Sequence, residues 1–182
     1  ELHEKNEQLR RQAEQLKEQE LAELRRESEE RYRFLAEAQP DQIWTALPNG
    51  ELDYVNQRAL DYFDTSFGEL VESGWTHVTH AEDLGRMLDR WQIALATGDP
   101  YENELRLQRA ADGAYRWHLT RAIPMTDKTG AVVKWFGSNI DIHDQKRAEE
   151  AQRFLVEAGA VLAVSLNYRS TLDEEEIGRA HV

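Results

Sequence analysis

The sequence predicts an α+β fold with long helices at both ends, and three observations predict it. The first 38 residues contain almost nothing but helix formers. Short apolar runs bounded by turn signals then appear in the order two strands, several helices, three strands. A second helical stretch begins near Asp144.

The leading segment, 1–38, has no Gly and meets its first Pro at Pro40. Leu2, Leu9 and Leu16 recur every seven residues, with Asn6 and Ala13 at the partnering positions, which is a coiled-coil seam with a polar residue that sets register. Two steps of four carry the stripe from Leu16 through Glu20 to Leu24. That stutter locally unwinds a supercoil, and Ser28, Arg31 and Leu35 follow. So narrow an apolar stripe needs a partner helix, because isolated helices draw most of their stability from packing. Parallel homodimerisation is the expectation, and a solvated charged helix lying on its own domain is the alternative.

Composition bounds the function. A net charge of −13, from 35 acidic and 22 basic residues, repels nucleic acid and anionic lipid. Cysteine is absent, which removes disulfides, thiolate metal sites, cysteine nucleophiles and any chromophore adduct that needs a thiol. With no cysteine the cytoplasm is the natural compartment, and no stretch approaches the roughly 18 apolar residues of a membrane span, so no membrane contact is expected. The first 33 residues have Tyr32 as their one aromatic, so the core begins near Phe34.

After Pro40, Ile43-Trp44-Thr45, the turn Pro48-Asn49-Gly50 and Leu52 to Val55 read as a hairpin. Residues 56–97 are helical, with a capping box at Ser66-Phe67-Gly68-Glu69 and a long segment from Glu82 to Thr97 closed by Gly98. Strands return at Tyr101 to Arg109, Tyr115 to Pro124 and Val132 to Ile142, separated by turns at Asp112-Gly113 and Asp127 to Gly130. Period-two reading of the last strand puts Val133 and Trp135 on one face and Val132, Phe136 and Ile140 on the other. Neither face is polar, so both need cover.

Several of these pieces resemble the PAS domain with its C-terminal PAC motif. They are Ile43-Trp44, Gly50, Tyr54-Val55-Asn56 with Ala59, His80-Ala81-Glu82-Asp83, Asp112 to Trp117, Asp141-Ile142-His143 and Lys146 to Glu150. The resemblance spans residues 34–150 and rests on order and spacing. It implies a five-stranded antiparallel sheet with helices on one face, in a multidomain bacterial sensor such as a histidine kinase. Three departures stand out: Ala81 replaces the usual Pro, Ala110-Ala111 holds an extra residue, and His143 replaces Thr, which weakens the expected side-chain bond where sheet becomes helix. The expected organisation is a coiled-coil helix over 1–38, the PAS/PAC domain over 39–143, a signalling helix over 144–172, and a truncated or foreign tail over 173–182.

In that last helix Ala148, Gln152, Leu155, Gly159, Leu162 and Leu166 step four and three residues apart, which implies a second coiled coil. The stretch from Phe154 to Leu172 is similar to the opening helix of GAF domains. The dimer seam is accordingly assigned to Leu2, Leu9, Leu16, Leu24, Leu35, Leu155 and Leu162, and signal transmission to Asp141, Ile142 and His143.

Alignment with flavin-binding relatives implies that His118, Thr120 and Ala122 face a cavity from one strand, and Gly137 and Asn139 from the next. His118, Asn139 and Thr120 are the pocket candidates. They either orient a small polar ligand or satisfy each other. Haem would need an axial ligand, yet the segment Glu82 to Thr97 holds no His, and His80 serves to start that helix. Flavin could be held only without a covalent bond. No metal site is expected, since His77 with His80 is the one close His pair. No nucleophile-base pair or phosphate loop occurs, so the chain is expected to be no enzyme, any catalytic output lying beyond residue 172. The expected role is a sensory relay that shifts flanking coiled coils in a homodimer and acts on other domains of its parent. A non-covalent flavin or haem sensor and a ligand-free dimerisation spacer are the rivals.

Overall fold

The structure, a computed structural model, describes the backbone of residues 2–179 and the side chains of residues 5–161. The chain divides at Ile140 and Asp141 into two compact units, each described by itself.

The first unit opens with helix α1, Leu2–Glu37, whose 36 residues extend for about 54 Å. Strands β1 (Gln42–Ala46) and β2 (Leu52–Val55) follow, then helices α2 (Gln57–Phe63), α3 (Phe67–Ser73) and α4 (Ala81–Thr97), and strands β3 (Tyr101–Gln108), β4 (Tyr115–Thr126) and β5 (Val132–Asp141). They form one five-stranded sheet in the order β2-β1-β5-β4-β3. β1 runs antiparallel to both its neighbours, and β3 antiparallel to β4. First and last strands meet at the centre, where every residue of β1 is buried. That burial demands cover on both faces of the sheet.

Local chemistry sets the boundaries. The left-handed backbone at Gly50, Gly113 and Gly130 turns the three short hairpins, where a side chain would strain the chain. Ser66 and Glu69 cap α3 reciprocally, and the His80 ring accepts from the Glu82 amide at 3.3 Å to start α4. Gly98 closes α4 in the left-handed region. The core joins Trp44, Trp135, Leu70, Leu105 and Leu107 under the helices.

Asn56 fixes the end of α1 to the sheet. Its amide nitrogen donates to the carbonyls of Ala36 at 3.1 Å and Asp41 at 3.0 Å. Its side-chain oxygen accepts from the amides of Ile43 at 3.0 Å and Ala59 at 3.2 Å. Beside it the Glu37 carboxylate accepts from the Tyr54 hydroxyl at 2.7 Å and the Gln57 amide at 2.8 Å. Burial and then the Glu37 carboxylate push the Tyr54 phenol upward.

A second tie fastens α4 to β3. Buried Asp83 accepts from Arg106 Nε at 2.8 Å and from the Arg106 amide at 3.0 Å, while Glu82 takes the guanidinium at 2.8 Å. Burial opposes the charge on Asp83, but the side-chain and backbone bonds from Arg106, with the charges of Arg106 and Arg86, hold its carboxyl below the ordinary value of 3.8. A depressed folded pKa means stabilisation that is complete above the unfolded value and lost as pH falls through the folded one. Urea midpoints are therefore expected to decline on acidification below about pH 4, a decline that Asp83→Asn flattens; equal slopes in the two proteins would refute the tie.

Two sequence expectations change. Val132 packs on the core that holds Trp135, although the period-two reading put the two on opposite faces, and Val133, grouped there with Trp135, is exposed; Val132 also lies beside Gly98 at the end of α4. In the second unit, helix α5 spans His143–Arg179, so it starts one residue early and continues past 172 without a break at 173.

Candidate ligand-binding site

The inner face of the sheet and helix α4 enclose a cavity of about 70 Å³. Trp44 reaches it from β1, Trp91 and Met87 from α4, Tyr101 from β3, Thr120 from β4 and Asn139 from β5. Alternation explains this convergence, since residues two apart on a strand share a face. Trp44 packs over Gly137, its Cα partner across the β1–β5 ladder, where an added Cβ would strike the indole ring.

Of the three pocket candidates, Thr120 and Asn139 line the cavity. The Thr120 hydroxyl is buried and has no hydrogen-bond partner. His118 departs from expectation: it is fully buried but is not a lining residue, with Tyr62 edge-on to its ring at 5.3 Å. A chain of hydrogen bonds joins it to the cavity instead. Trp44 Nε1 donates to Asn139 Oδ1 at 3.3 Å, Asn139 Nδ2 to Gln42 Oε1 at 3.1 Å, Gln42 Nε2 to His118 Nε2 at 3.4 Å, and His118 Nδ1 to the Arg116 carbonyl at 2.9 Å. This direction assigns the Nδ1–H tautomer to His118. Gln42 and Trp44 are the residues that sequence reasoning missed here. Their shared parity on β1, two residues apart, is the sequence signal that would have placed them on one face.

The residues do not fit haem or flavin. A cofactor-sized site needs several hundred cubic ångströms, and this cavity offers about 70. Trp44 fills the space over Gly137 where a flat ring could lie. Among the described residues His118 is the one buried histidine, and it engages both ring nitrogens, so neither is free as an axial ligand. Among the described residues no group of three or more His, Asp or Glu is arranged to hold a metal ion.

The sheet-to-helix junction belongs to the second unit. The Asp141 carboxylate accepts from the His143 amide at 2.9 Å, and the Ile142 carbonyl from the Lys146 amide at 2.9 Å, so the chain enters α5 with its first turn capped. Of the seam residues, Leu9, Leu16, Leu24, Leu35 and Leu155 are each more than half exposed. The side chains of Leu2 and Leu162 lie outside the described residues. On the outer face of the sheet Phe136 and Ile123 are also exposed, while Trp117 lies under the Arg106 guanidinium at 5.2 Å. Among the described residues no helix is long and apolar enough to cross a membrane.

Known proteins share this architecture. Residues 52–139 match the family described as PAS fold. Over 132 residues the chain is 38% identical to the peroxide stress-activated histidine kinase mak1 of Schizosaccharomyces pombe, a match that covers 72% of this chain and 8% of that protein. It is 36% identical over 126 residues to the uncharacterized protein y4lL of Sinorhizobium fredii, covering 68% of this chain and 15% of that one. Among solved structures, a sensory box histidine kinase/response regulator from Burkholderia thailandensis superposes with a TM-score of 0.50 at 23% identity, over 70% of this chain and 96% of the other. A LOV protein of Rhodobacter sphaeroides superposes at 0.56 and 15% identity, over 70% and 73%. Strand order, helix placement and sequence agree, and the chain is therefore identified as carrying a PAS sensory domain, homologous to a segment of histidine kinases.

Proposed function

We propose that this chain is the sensory and relay segment of a larger cytoplasmic signalling protein of the histidine kinase type. Two copies pair in parallel through α1 and α5, the cavity takes a small ligand, and the signal leaves through Asp141, Ile142 and His143. The chain itself carries no catalysis and acts on other domains of its parent, α5 leading into them as a GAF-type linker. What carries the reading is the row Leu9, Leu16, Leu24 and Leu35, bare on a 36-residue helix whose end Asn56 and Glu37 lock to the sheet. Exposed leucines at heptad spacing gain stability by pairing, and a locked helix end converts movement of the sheet into movement of the pair.

Light scattering on the purified chain tests this. The expected mass is that of a dimer, falling to a monomer when Leu9 and Leu16 are both replaced by Lys. The thermal midpoint of the globular part should hardly move, because neither leucine is buried in it. A doubly substituted chain that remains fully dimeric would refute the seam.

A further inference from the structure

We propose that the cavity is an aromatic cage for a small quaternary ammonium ion, an inference that rests on the cavity being the sensing site. Trp44, Trp75, Trp91 and Tyr101 all line it. The rings of Trp44 and Trp91 stand 5.8 Å apart at 79°, those of Trp44 and Trp75 6.1 Å apart at 55°, and those of Trp91 and Tyr101 5.3 Å apart at 80°. These rings pack edge-to-face or tilted on one another beside the cavity, and a cation within about 6 Å of a ring centroid is attracted by the ring's face, indole most strongly.

The rest of the lining decides among charged and neutral ligands. Among the described residues no lining side chain is charged at neutral pH, so a ligand of either sign enters without a counter-charge, and the ring faces, which attract a cation and not a carboxylate, decide between the signs. A primary ammonium brings three N–H donors that need acceptors, and Asn139 Oδ1 already accepts from Trp44 while the Thr79 hydroxyl donates to the Trp75 carbonyl. A quaternary nitrogen brings none and asks only for polarizable faces, which the rings and the Met87 thioether supply. The solitary Thr120 hydroxyl then meets an oxygen on the ligand's tail. Size sets a condition: about 70 Å³ is roughly half of the ~150 Å³ that holds a benzene, and a trimethylammonium head is about as bulky as benzene, so the head enters only as the wall at Leu88, a lining residue that is 45% exposed, gives way. The net charge of −13 raises the local concentration of cations. The same chain already sets a cation over an indole, Arg106 over Trp117, on the opposite face of the sheet.

The test follows the indole N–H resonances of the nitrogen-15-labelled protein during titration with choline chloride at constant ionic strength. Saturable shifts are expected at Trp44, Trp75 and Trp91, with Trp117 unmoved. Ethanolamine, the primary ammonium, and 3,3-dimethyl-1-butanol, the uncharged isostere of choline, are each expected to bind at least tenfold more weakly. Trp75→Leu should cut choline affinity at least tenfold and leave the isostere unchanged; Thr120→Val should weaken choline several-fold and leave tetramethylammonium unchanged. If the isostere binds as tightly as choline, the cation class is wrong and the sensing cavity stands. If no probe gives a saturable shift in the unsubstituted protein, the ammonium cage is refuted, and the relay reading is then judged on the light-scattering result alone.

Discussion

Replacing Asn56 by Ala is expected to cost about 3–4 kcal/mol of stability and to free the end of α1 from the sheet. The side chain is fully buried and satisfies two carbonyls and two amides on three different segments: the end of α1, the start of the sheet and the first turn of α2. Each lost bond is worth about 1 kcal/mol, and each partner left buried without one adds to the loss. Urea unfolding followed by circular dichroism measures the total. Hydrogen exchange at the Ile43 and Ala59 amides should quicken beyond the change in global stability. A loss below about 1 kcal/mol would mean that water replaces the amide at no cost and that the helix is not locked there.

Gly137→Ala is expected to be nearly as damaging, about 2–3 kcal/mol, for a reason of shape alone. The new methyl would collide with the Trp44 indole, whose alternative is to swing into the cavity and give up its bond to Asn139. Thermal unfolding should report the loss, and tryptophan emission should change. Trp44→Val in the same chain removes the collision, so a double-mutant cycle should show a favourable coupling of about 1 kcal/mol or more. Additive losses would show that the two residues do not meet.

These two positions also mark what the sequence made legible. The order of elements was readable because turns and caps are local: Gly50, Gly113 and Gly98 sit where the backbone turns left-handed, and the capping box from Ser66 to Glu69 forms as written. Membership of the fold followed from that order. The cavity was half legible. Thr120 and Asn139 reach it, as parity on their strands requires, whereas His118 shares the parity of Thr120 and is walled off by Tyr62 and Gln42. Parity gives a face and says nothing about which neighbour fills the space above it. Asp83 illustrates the same limit: its place at the start of α4 was evident, but its partner Arg106 lies 23 residues on, in another element. Val132 failed differently: at the start of its strand it lies beside Gly98 at the close of α4, a neighbour that parity along the strand does not reveal.

The buried row from Trp44 to His118 has a sense of direction. An indole nitrogen can give a proton to a neighbour but offers no lone pair in return, so neither Asn139 nor Gln42 can turn its amide over unaided. Whatever reverses one link must reverse its neighbours and evict Trp44 from its seat. The side chains that β1, β5 and β4 contribute to this row therefore share one permitted arrangement of donors and acceptors.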